Sequence, residues 1–135
     1  MNKLNLLIVI FLAFSCSKEK VEELKITSLD QITGIWKSES ACGGYSGACG
    51  YSTDRNYEQM VFSANGQLIE KKNDSIILKA KYSILKAEDS WGTLIMNDVI
   101  SDYWMYDHYE YSISIINNRL MVIRGDMFYT YKKIK

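Results

Sequence analysis

From residue 76 to residue 84 the chain alternates, with Ile76, Leu78, Ala80, Tyr82 and Ile84 on one face and Lys79, Lys81 and Ser83 on the other. A side-chain period of two belongs to a strand with one buried face, so a half-buried β-strand is predicted here. Tyr109, Tyr111, Ile113 and Ile115 alternate with Glu110, Ser112 and Ser114 in the same way. Between Tyr57 and Phe62, apolar Met60 and Phe62 share a face with Glu58. Shorter β-like runs cover 34–39, 68–69, 91–96, 120–124 and 127–133. The breaks hold turn formers: Ala64-Asn65-Gly66, Lys71 to Asp74, Asn117-Asn118 and Gly125-Asp126. Asn and Gly tolerate the positive φ that tight hairpins require. About eight short strands with no long helical pattern predict an all-β fold, and eight antiparallel strands can close into a single up-and-down β-barrel without open edges.

The first residues follow a different pattern. Lys3 precedes an apolar run from Leu6 to Phe14, the layout of an export signal. The run is shorter than the roughly 20 residues that span a bilayer. Leu12-Ala13-Phe14-Ser15-Cys16 resembles the lipobox of bacterial lipoproteins, although Phe14 stands where a small residue is usual. That resemblance implies acylation of Cys16 and cleavage just before it, with 1–15 as signal peptide. Residues 16–27 are expected to form a polar tether and 28–135 the folded domain. Two or more acyl chains, at about 0.8 kcal/mol per buried methylene, anchor a protein stably. The expected location is the outer membrane, facing either the periplasm or the exterior, and the expected state is a monomer.

Composition narrows the function. Of 135 residues 47% are hydrophobic, ample for one core, and sixteen basic residues balance sixteen acidic ones. A balanced chain lacks the positive footprint of a phosphate-backbone binder, which excludes nucleic acid as a partner. With Cys16 lipidated, Cys42 and Cys49 remain as an even pair outside the cytoplasm, so a disulfide is expected. They bracket Gly43-Gly44-Tyr45-Ser46-Gly47-Ala48, read as a stapled surface loop. Their six-residue gap does not suit zinc, and Gly44-Tyr45-Ser46-Gly47 lacks the second glycine of a nucleophile elbow. With one histidine and no metal-ligand cluster, neither an enzyme nor a cofactor is expected.

Gly34-Ile35-Trp36, preceded by the short helix-like Ser28-Leu29-Asp30-Gln31-Ile32, resembles the Gly-x-Trp start of the lipocalin barrel. In that family the tryptophan plugs the closed end and a late-strand arginine packs over it. The resemblance implies this role for Arg124, by cation-π stacking on Trp36. Ser101-Asp102-Tyr103 is similar to the Thr-Asp-Tyr stretch after the sixth lipocalin strand. The implied function is a binding protein carrying a small hydrophobic ligand, with Met60, Phe62, Ile76, Leu78, Tyr82, Ile84, Tyr111 and Ile113 lining the pocket. Those bulky residues equally suit a solid core. The alternatives are a protein-protein or inhibitor module working through exposed loops, or glycan binding by the acidic, aromatic stretch from Asp98 to Tyr111.

Overall fold

A computed structural model describes residues 23–24, 28–85, 91–101 and 108–135. The strands are β1 (Glu23–Leu24), β2 (Gly34–Gly43), β3 (Ala48–Tyr51), β4 (Glu58–Phe62), β5 (Gln67–Lys72), β6 (Ser75–Leu85), β7 (Gly92–Ser101), β8 (His108–Ile116), β9 (Arg119–Arg124) and β10 (Met127–Lys133), with one helical turn, α1 (Leu29–Ile32). Eight of them, β2 and β4 to β10, pair antiparallel with their neighbours in sequence, and β10 returns to β2. The predicted all-β, up-and-down, eight-stranded barrel is the fold.

Turn chemistry sets the strand register. Asn73 and Asp74 join β5 to β6, and Asn117 and Asn118 join β8 to β9; all four have positive φ. Two successive left-handed residues make the hairpin turn whose twist matches the flanking strands. At Asn65-Gly66 the turn is longer. Gly66 donates to the Ser63 carbonyl at 3.0 Å, and Ser63 to the Gln67 carbonyl at 2.9 Å. Gly66, at φ 80°, takes up the left-handed conformation that closes this loop.

Alternation in the strands becomes an inside and an outside. Leu78, Ala80 and Tyr82 are buried while Lys79, Lys81 and Ser83 are exposed. Ile76 departs from this series and is 42% exposed, a correction to its expected inward position. The pairing shifts between Glu70 and Lys71, opposite Leu78 and Ile76. One residue inserted by a bulge breaks the period of two and turns the strand beyond it.

The lower end of the barrel is closed by α1 and the start of β2. Ser28 donates its backbone N–H to the Gln31 side chain at 3.2 Å, fixing the start of the turn. Ile32 is fully buried, and its carbonyl accepts the Trp36 indole N–H at 2.7 Å. Leu68, Leu94, Ile113 and Leu120, all fully buried, complete this half of the core.

Two segments outside the barrel ring differ from expectation. Glu23–Leu24, placed by sequence in the tether, pairs with Ile116 and Ile115 of β8. The glycine-rich stretch read as a loop is a hairpin: β2 continues to Gly43, and β3 pairs back on it with Cys42 opposite Cys49. All four β3 residues are exposed, so no apolar alternation marked the strand.

Candidate functional site

The upper half of the barrel holds a charged network. Arg124, the last residue of β9, ion-pairs through Nη1 with Glu70 at 3.3 Å and lies 3.8 Å from Glu58. Its Nη2 donates to the Tyr131 hydroxyl at 3.0 Å, and that hydroxyl donates onward to Glu58 at 3.4 Å. The rings of Tyr111 and Tyr129 each lie 4.7 Å from the guanidinium carbon. The Glu70 side chain is only 5% exposed, and Glu70 Oε1 and Arg124 Nε have no hydrogen-bond partner among the described residues.

Burial sets the electrostatics. Loss of water raises the Glu70 carboxyl above the ordinary range despite the opposing pull of Arg124. Burial alone would lower Arg124, but Glu70, Tyr131, Tyr111 and Glu58 together raise it, so it stays charged. Desolvation, then Glu70, pushes Tyr111 up to about 12, and desolvation raises Tyr131 as well. At neutral pH both phenols are neutral hydrogen-bonding groups.

This placement corrects the pairing implied for Gly34, Trp36 and Arg124. The cation over the Trp36 ring is Lys133, at 5.4 Å, directly across the β2–β10 ladder. Arg124 pairs with Met127 at the opposite end of β10 and points into the barrel. Gly34, at φ 132°, lets the chain pass close to the Lys135 carbonyl, which a side chain there would strike.

Of the residues expected to line a ligand pocket, Met60, Phe62, Leu78, Tyr82 and Ile113 are buried, while Ile84 and Tyr111 are partly buried against them. They touch one another. Phe62 and Tyr82 meet edge to face at 5.1 Å, and the Tyr82 hydroxyl is held by the Ser63 carbonyl at 3.0 Å. These contacts are those of a packed core.

Above the network a cleft of about 180 Å³ opens between β2, β3 and β4, lined by Ser38, Ser40, Tyr51, Ser52, Asn56, Tyr57, Glu58, Lys72 and Tyr129, with Ala41 and Gly50. Ser38 is nearly buried; its hydroxyl accepts the Glu58 N–H at 2.8 Å and shares a 2.6 Å bond with Ser52. Glu58 and Tyr129 belong to both cleft and network.

The cleft is roofed on one side by the β2–β3 hairpin, which the expected disulfide joins at Cys42 and Cys49. Closing an eight-residue loop contributes about 2.5 kcal/mol in loop-closure entropy, and it falls on a hairpin whose second strand touches no core. Cys42→Ser with Cys49→Ser is therefore expected to speed amide exchange at 48–52 by tenfold or more, about 1.4 kcal/mol, and to leave Leu94 and Val122 protected. Loss of protection in the barrel centre would show that the staple supports the whole fold.

Cys16 and residues 102–107 of the acidic, aromatic stretch lie outside the described residues. Asp98 of that stretch bonds Lys81 at 2.6 Å on the surface. Among the described residues no group of three His, Cys, Asp or Glu is placed to hold a metal. Sequence reasoning did not single out Glu70, although it stands in phase with buried Leu68 on β5, a charge on an apolar face. Ser38 and Tyr131 left no comparable signal.

No family model matches the chain, and neither a curated protein nor a solved structure does. The barrel closure and the site geometry therefore carry the functional argument.

Proposed function

We propose that this protein is a lipid-anchored binding protein of the bacterial envelope, lipocalin-like in design, which takes a small ligand at the mouth of its barrel and not in a hollow interior. The observation that carries this reading is the position of Glu58. Glu58 lines the cleft, and its carboxylate is held by Arg124 at 3.8 Å and by the Tyr131 hydroxyl at 3.4 Å. A charged group fixed before binding loses little freedom when a ligand arrives. The packed lower core and the buried ion pair weigh against a fatty chain threaded through the barrel. Anchoring rests on Leu12 to Cys16.

Two measurements test the two halves. The Cys16→Ser variant is expected in the soluble fraction of lysed cells; retention in membranes would sink the anchor. A fluorescent fatty acid is expected to show no saturable uptake, and saturable uptake quenched by Trp36 would restore the interior as the site.

A second reading is favoured by the hairpin tip. Tyr45 at the tip is fully exposed, an aromatic anchor of the kind that dominates protein interfaces. Capture of one envelope protein that depends on Tyr45 would move the function to that surface.

A further inference from the structure

We propose that the mouth cleft is a saccharide site that takes a single sugar ring, free or as the last residue of a glycan; the inference rests on the mouth-binding reading above. A sugar ring offers an apolar C–H face and a rim of hydroxyls. The cleft offers the complement of both. Tyr51 supplies an aromatic face that is 75% exposed and meets no other ring among the described residues. Around it lie Ser38, Ser40, Ser52, Asn56 and Glu58, with the Ser38 and Ser52 hydroxyls already bonded to each other. Glu58 Oε2 is engaged by the Tyr131 hydroxyl and Arg124, which leaves Oε1 as an acceptor for a ligand hydroxyl, and the Asn56 side chain offers both a donor and an acceptor. Asn56, which lines the cleft, is fixed at its backbone by its N–H donating to Thr53 Oγ1 at 3.1 Å.

The same lining disfavours other classes. Among the described residues the largest aliphatic side chain in the lining is that of Ala41, so the apolar surface comes from tyrosine rings and lacks the aliphatic wall against which an acyl chain packs. Among the described residues Lys72 is the one cation in the lining and is offset by Glu58, too little positive charge for a phosphate. At about 180 Å³ the space falls below the roughly 300–1,000 Å³ of sites for drug-sized ligands, and it suits one ring.

The test uses the full chain in detergent, with amide chemical shifts as the readout. The probes are glucose, galactose, mannose and N-acetylglucosamine at millimolar concentration, with glycine, glutamate and acetate as other classes. Immobilised glycans ending in the same four sugars form a second arm. At least one sugar is expected to shift amides of Ser38, Ser40, Tyr51, Ser52, Asn56 and Glu58, and Tyr51→Ala and Asn56→Ala are each expected to weaken binding about tenfold. Tyr45→Ala, at the hairpin tip, leaves affinity unchanged. Binding only in the immobilised arm assigns the source to glycan ends and supports the site. If amino acids or acetate shift the cleft and no sugar does in either arm, the saccharide assignment is overturned while mouth binding stands. Sugar binding untouched by both cleft variants overturns it too. A cleft silent to every probe removes both readings.

Discussion

Arg124→Met is expected to lower the unfolding free energy by about 3–5 kcal/mol, because it strips the counter-charge from two carboxylates at least partly withdrawn from water. Glu70, 5% exposed, bears most of the loss, and Glu58, 29% exposed, relaxes toward the cleft. The shape of the methionine side chain matters little beside this. It fills much of the space between Tyr111 and Tyr129, so the dominant effect is electrostatic. Glu70→Gln in the same chain is therefore expected to recover more than half of the loss, since a neutral amide is far cheaper to bury than a carboxylate. Urea unfolding of the two single variants and the double variant measures the coupling directly. Additive losses, with no recovery in the double variant, would mean that the arginine acts by packing alone.

The same carboxyl gives the protein a pH signature of definite sign. The folded state holds the Glu70 proton more tightly than the unfolded chain, whose glutamates titrate near 4.3. Between that value and the raised folded one, the folded state binds more protons, so stability falls as pH rises. Glu70 thus contributes stability that is fully present below about pH 4.3 and lost as pH climbs through its folded value. Comparing the wild type with Glu70→Gln cancels the titration of the exposed carboxylates. Their stability difference should move toward the glutamine variant across this window, and a flat difference would place Glu70 in water.

The barrel was legible because closure depends on features that repeat along the chain. Ile76 to Ile84 and Tyr109 to Ile115 announce strands by alternation, and Asn73-Asp74 and Asn117-Asn118 announce hairpins by backbone chemistry. What failed to show were elements lacking a one-sided environment. Strand β3 is exposed throughout, so it carries no periodic signal, and the bulge in β6 between Ile76 and Leu78 shifts the period by one without altering composition. The site was harder still. Glu58, Glu70, Arg124 and Tyr131 come from β4, β5, β9 and β10, and only closure of the sheet brings them together. Glu58 and Glu70 each share a face with buried apolar residues, and a charge in phase with a buried stripe was the trace that these two carboxylates left in the sequence. Arg124 lies at the upper end because a two-residue turn follows it at once, which places it opposite Met127 and far along the ladder from Lys133.

Trp36→Ala is the second substitution with a large expected effect, again about 3–5 kcal/mol, or a fall of roughly 10–20 °C in Tm. The ring is 2% exposed beneath α1, and its removal leaves a void that Ile32 and Met60 cannot close without breaking their own contacts. A milder change separates the parts of this loss. Trp36→Phe keeps most of the apolar volume but leaves the Ile32 carbonyl without its 2.7 Å donor, which should cost about 1–3 kcal/mol. Lys133→Met removes the charge over the ring from an exposed side chain and should cost less than about 1 kcal/mol. The order Trp36→Ala, Trp36→Phe, Lys133→Met follows from a closed end held by burial first, by one hydrogen bond second and by a surface cation last. If Lys133→Met proved as damaging as Trp36→Ala, the plug would depend on charge. The arrangement would then lie closer to the arginine-over-tryptophan pairing that the Gly34-Ile35-Trp36 motif implied, with the lysine in the arginine's place.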